Sequence, residues 1–256
     1  KPANMLLNQT TQNAQINWQG FSVGSGERLT ITQPNTTAVL LNKVIGADPS
    51  TILGSISANG KVFILNPNGI IFGWDAQINV GGLVASTLTG SISSDSSSVT
   101  LNGAKPGSSV INEGRINASE AALIGPRVEN RASGSIVTNG GDLQLISAES
   151  VTADFSGSQT KFSLQGEVAD ALIANEGELV ASDGLLELRV RAADAGNGTV
   201  LNVGGVVQAK SMTSDGGVIK LSGGGSGVVR VSGNVDATGR EGGNIEIRGD
   251  KVAIES

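Results

Sequence analysis

The chain has 256 residues and a net charge of −6, with no cysteine and no histidine, and 37 of its residues are glycine. Aromatic residues make up 3% and apolar ones 38%, which favours a thin, regular core of small and β-branched side chains over a bulky globular one. The composition excludes Ser-His and Cys-His nucleophile pairs and thiolate metal clusters. Scattered Lys and Arg offer no basic patch for nucleic acid, and no apolar run is long enough to span a membrane as a helix.

Residues 1–32 hold short strand candidates at Ala14–Trp18, Phe21–Val23 and Arg28–Ile31, the first and last alternating as half-exposed strands do. A pile of strands begins with an open row of backbone donors and acceptors, so this segment is expected to cap it. The start at Lys1-Pro2, without a signal peptide, suggests a chain that begins after a removed leader. Absent cysteine fits either a reducing compartment or passage unfolded through an oxidising one.

Residues 33–109 are the densest apolar region. Val62–Leu65 and Ile70–Phe72 are apolar at consecutive positions, the pattern of strands covered on both faces. If a coiled sheet supplies the inner cover, something else must lie over the outside. Between these strands Asn66-Pro67-Asn68-Gly69 suits every position of a type I turn. Trp18 and Trp74 are expected as core anchors rather than sugar-stacking platforms. The serine-rich Ser91–Ser98 and the Gly103–Ser109 stretch read as excursions from the coil.

From Val110 an internal repeat emerges. Asn112-Glu113-Gly114-Arg115-Ile116 recurs at Asn175-Glu176-Gly177-Glu178-Leu179, loosely at Asn130–Ile136 and weakly at Asn202–Val206. A glycine turn entering an alternating strand occurs at Gly140–Leu145, Gly216–Leu221 and Gly242–Ile247, with a degenerate copy at Asp183–Leu188. Ala181, Ala209 and Ala237 lie 28 residues apart each time. Three short strands and three turns per repeat describe one coil of a right-handed parallel β-helix, with asparagines at equivalent turns stacking as a ladder. The expected fold is therefore all-β: residues 1–32 as N-terminal cap, 33–109 as first coils with extra-helical strands, and 110–256 as repetitive coils. About nine or ten coils of a longer natural protein would fit.

The stretch V-F-I-L-N-P-N-G-I-I-F-G at 62–73, followed by A-Q-I-N-V-G-G-L-V-A-S-T at 76–87, closely resembles the secretion domain of two-partner-secretion exoproteins. That family includes filamentous haemagglutinins, high-molecular-weight adhesins, cytolysins and growth inhibitors. One of its two named motifs, N-P-N-G-I, is complete here as Asn66, Pro67, Asn68, Gly69 and Ile70. The other, N-P-N-L, is absent, with Gln33, Pro34 and Asn35 a loose counterpart, a departure that points to the adhesin branch. The resemblance implies secretion targeting and nucleation of folding, and recognition by POTRA domains of a cognate TpsB-type outer-membrane transporter. It also implies delivery to the cell surface or medium, as a monomer, with host-cell or matrix ligands engaged by the downstream region.

Other chemistry is weakly supported. Asp142, Asp183, Asp215 and Glu241 sit beside turn glycines, where acidic side chains serve the turn. The run Gly223–Gly227 lacks the lysine and helix of a phosphate loop. Arg248, Gly249 and Asp250 spell an adhesive tripeptide, and Asn8, Asn35, Asn117 and Asn197 head glycosylation sequons. The reading is of a non-enzyme without cofactor or metal. A ligand-binding β-helical adhesin module is the alternative, and a polysaccharide-degrading β-helix a more distant one.

Overall fold

The alternating pattern is realised as strands and turns alone. The computed structural model describes residues 3–211, 216–240 and 242–255, and among these residues there are 27 strands and no helix. The first rung holds β1 (Asn4–Asn8) and β2 (Asn13–Trp18), and the second β3 (Arg28–Thr32), β4 (Val39–Val44) and β5 (Ser50–Ile52). The third is β6 (Ser55–Ala58), β7 (Lys61–Leu65) and β8 (Ile70–Phe72). The fourth opens with β9 (Gln77–Ser86), leaves the coil through β10 (Ser98–Leu101) and returns as β11 (Ser109–Asn112). The fifth is β12 (Arg115–Ile124) and β13 (Arg127–Asn130). The sixth begins with β14 (Ser135–Asn139) and β15 (Leu143–Ser147), departs again through β16 (Ser150–Asp154) and β17 (Lys161–Gln165), and closes with β18 (Leu172–Asn175). The seventh is β19 (Glu178–Ser182), β20 (Leu185–Val190) and β21 (Thr199–Val203). The eighth is β22 (Val206–Lys210), β23 (Val218–Ser222) and β24 (Val228–Val231), and the last β25 (Asn234–Thr238), β26 (Asn244–Arg248) and β27 (Lys251–Ile254).

First and second strands share a 16-stranded parallel sheet, joined where β9 and β12 run through the corner; third strands form an 8-stranded parallel sheet. The first strands follow one another as β1-β3-β6-β9-β12-β14-β19-β22-β25. At about 4.8 Å per step these rungs make a stack roughly 40 Å long. The chain is a parallel β-helix. Its interior is a set of aliphatic columns, such as Leu29, Ile56, Ile78, Ile116, Ile136, Leu179 and Val207 in direct register and all buried. Each such side chain contributes about 1.5–3 kcal/mol by leaving water. Ala181, Ala209 and Ala237 also lie in register, as their 28-residue spacing leads one to expect.

The ladder of amides forms in part. Asn112 Nδ2 donates to Asn130 Oδ1 at 2.8 Å, and Asn130 Nδ2 to Asn175 Oδ1 at 2.8 Å. Above them the register brings Val203 to the same position, not Asn202, which lies one residue out of phase and half-buried on the other face. Period-2 pleating makes that single-residue offset decisive.

The expected outer cover is present. The strands β10, β16 and β17 form an antiparallel sheet outside the coil. It encloses a second core of Val39, Leu41, Phe63, Leu65, Val84 and Ile124 from the coil with Val99, Leu101, Val151 and Phe155 from outside. Phe63 and Phe155 meet edge to face at 5.6 Å. All five residues of β7 are buried, as a doubly covered strand requires. In β8, by contrast, Ile71 is only half-buried, because the outer sheet lies over the second-strand column and leaves the third-strand face bare.

One further expectation changes, that for Trp74. Residues 1–32 run in the stack itself: β1 pairs in parallel with β3 and β2 with β4. Trp18 packs on the core and donates from Nε1 to Asn42 Oδ1 at 3.0 Å. Trp74 is 72% exposed and is no core anchor, because Ala76 takes the inward position at that corner. The serine-rich loop is tied down: Asn13 Nδ2 donates to Ser96 O at 2.5 Å, and Lys43 Nζ to Ser91 Oγ at 3.4 Å.

Candidate functional site

The corner between β7 and β8 is built from a local turn and four long-range bonds. The Gly69 N–H donates to Asn66 O at 3.1 Å, closing a four-residue turn. Asn68 has no positive φ, which makes the turn type I, with Pro67 presetting φ at its second position. Asn66 is fully buried. Its Oδ1 accepts from the Asn68 N–H at 3.0 Å, while its Nδ2 donates to Asp48 O and Ser50 Oγ, each at 3.0 Å. Asn68 Nδ2 donates to Gly46 O at 2.9 Å, and the Lys105 ammonium donates to Asn68 Oδ1. The turn therefore bolts the third rung to the β4–β5 corner beneath it and to the loop returning at the fourth rung. Ile70, fully buried, pairs with Ser50 on one side and Val110 on the other.

Gly69 has φ +124°, a region that side chains with a Cβ rarely adopt. A Cβ there would meet Pro49 Cβ and Ser109 O at 3.6 Å, ordinary contact distance, so the obstacle is the backbone rather than space. Gly69→Val is expected to cost about 1–3 kcal/mol in strain, read as a lowered urea midpoint at unchanged slope. An unchanged midpoint would refute the strain.

Gln33, Pro34 and Asn35 lie at a different corner, between β3 and β4. Buried Gln33 donates from Nε2 to Gln9 Oε1 and Ala38 O, each at 3.0 Å, and its Oε1 accepts from the Gly60 N–H at 3.0 Å. Asn35 Nδ2 donates to Gln12 Oε1 at 2.7 Å. The structure thus keeps the two motifs apart, each securing its own corner. Arg248 ends β26 and is ion-paired with Glu246; Gly249 packs against Val229, and exposed Asp250 completes a tight corner of the last rung.

Of the turn carboxylates, Asp142 Oδ1 accepts from the Leu185 N–H at 3.0 Å, and Asp183 adopts φ +57° and binds Ser211 Oγ. Asp215 and Glu241 lie outside the described residues. Among the described residues no cluster of His, Cys, Asp or Glu is arranged for a metal ion. Hydrogen bonds from Ser93 and Ser97 lower the Asp95 pKa, those from Ser156 lower Asp154, and the bond to Glu113 raises Arg131.

The sequence reading missed Gln9 and Asn59, which share the Gln33 corner, and a buried ion pair of Lys61 with Glu120 at 2.9 Å. A lysine heading an otherwise apolar strand was the available signal.

A family model described as TPS secretion domain matches residues 2–254. The chain belongs to the TPS secretion domain family. The secretion domain resembles the crystal structure of the HMW1 secretion domain from Haemophilus influenzae with TM-score 0.81 and 29% identity, covering 94% of this chain and 64% of that one. The filamentous hemagglutinin secretion domain matches in fold alone, with TM-score 0.56 and 15% identity over 98% of this chain and 90% of that one. HMW1 is the nearer of the two. A heme/hemopexin-binding protein of Haemophilus influenzae is 32% identical over 204 residues, 73% of this chain and 22% of that protein. The secretion domain thus spans about a fifth of that relative's length. Domains of this family direct two-partner secretion: the proteins that carry them cross the outer membrane to the cell surface or beyond.

Proposed function

We propose that the domain is recognised by the POTRA domains of its cognate TpsB-type transporter and seeds folding of the exported chain outside the cell. The carrying observation is the Asn66–Ile70 corner, where a motif of the family fixes three successive rungs in register. Each later rung buries apolar surface on the one before, so folding outside opposes backsliding without ATP. In this reading residues 1–32 act as the cap, 33–109 carry the recognition-competent first coils, and 110–256 extend them. The domain works as a monomer and catalyses nothing.

The test is a transporter lacking its POTRA domains. The secretion domain is expected to remain periplasmic, and undiminished export would refute the recognition step.

A second reading, ligand binding by this domain itself, draws support from the exposed face of Trp74. Because the matched stretch is 22% of a heme/hemopexin-binding protein, ligand capture in the whole protein, whether of haem, a host protein or a matrix component, is assigned in the leading reading to sequence beyond this domain.

A further inference from the structure

Lys61 heads β7 in the third rung and Glu120 lies in β12 of the fifth, with Gly82 of β9 in register between them. Side chains on the same face two rungs apart meet only if the intervening residue leaves room. A Cβ on Gly82 would come within 3.1 Å of Lys61 Cγ and 3.2 Å of Glu120 Cγ, so the missing side chain opens the gap. Across it Lys61 Nζ sits 2.9 Å from Glu120 Oε1, with the lysine side chain 3% and the glutamate 13% exposed.

The lid over this pair is Thr160, just before β17. Its N–H donates to Glu120 Oε2 at 2.8 Å and its hydroxyl to Glu120 Oε1 at 2.6 Å, while the same hydroxyl accepts from Lys61 Nζ at 3.2 Å. Thr160 lies 99 residues beyond Lys61. In a chain emerging N-terminus first, the third to fifth rungs can form while both charges still face water. Dehydrating two charges is favourable only when their remaining hydrogen-bonding capacity is met, and Thr160 meets it.

We propose that Lys61, Glu120 and Thr160 form a clasp that closes the outer sheet of β10, β16 and β17 as a discrete, late step of folding. They are positioning residues that act by seating the sheet that covers Phe63, Leu65 and Val84. The role in export rests on the secretion reading above; the clasp does not, since it can be tested on the purified 256-residue chain.

Two hydrogen-exchange measurements test it. At equilibrium, Thr160→Val, which keeps the shape and loses the hydroxyl, raises exchange in β10, β16 and β17 about ten- to a hundredfold and leaves the seventh and eighth rungs unchanged. Thr160→Ser restores the wild-type pattern. In pulse labelling during refolding, amides of β4, β7 and β9 become protected before those of β10, β16 and β17. An unchanged outer sheet in Thr160→Val, a uniform rise over all rungs, or simultaneous protection would overturn the proposal. Each outcome is read without a transporter, so it stands apart from failure of the export experiment.

Discussion

Asn66→Ala is expected to stop the domain from reaching the culture medium and to lower its unfolding free energy by about 2–4 kcal/mol. The side chain is fully buried and joins Asp48 O, Ser50 Oγ and the Asn68 N–H. Alanine removes all three bonds and leaves the buried Ser50 hydroxyl without that donor, at a cost of about 1–3 kcal/mol for a buried group left unpaired. It also frees the turn to drift, and a one-residue slip would turn the inward side chains of β8 outward. Chemical denaturation of the purified domain measures the first effect and immunoblots of medium against periplasm the second. Full export with an unaltered denaturation midpoint would mean that the corner is neither structurally nor functionally needed.

The second large effect belongs to Asn130→Leu. This asparagine is the middle of the amide ladder, accepting from Asn112 and donating to Asn175, with further donation to Gly134 O at 3.3 Å. Leucine has as many side-chain heavy atoms but is apolar and bulkier, and it takes one partner at once from each of two buried amides, Asn112 Nδ2 and Asn175 Oδ1. The expected loss is about 3–5 kcal/mol. Replacing all three asparagines together by valine, the residue at the equivalent position of the seventh rung, removes the mutual amide bonds but leaves the Gly114 N–H without Asn112 Oδ1, and is expected to recover part of the loss. A triple variant no better than the single one would show that the ladder acts otherwise.

What could be read in the sequence is what local rules determine. Alternation and turn glycines depend on neighbours a few residues away, and the 28-residue recurrence repeats them once per coil, so together they specify a coil. The Asn66 turn was legible for the same reason, as was the need for an outer cover, since β7 is apolar on both faces. The coverer was not legible, because β10 and β16 pair across some fifty residues with no shared motif. Lys61, Glu120 and Thr160 are scattered likewise, and only the fold collects them. Trp74 was misjudged because size suggests burial, whereas the corner's inward position admits alanine. Asn202 was misaligned because a repeat seen in letters tolerates a shift that a pleated strand does not.

The outer sheet braces only the earlier part of the rod, and from the eighth rung onward the strands rely on their neighbours in the stack alone. Such an object is stiff at its head and compliant at its tail. Under tension from the C-terminal side the unbraced rungs would give way before the braced head, which keeps its shape as a mechanical anchor.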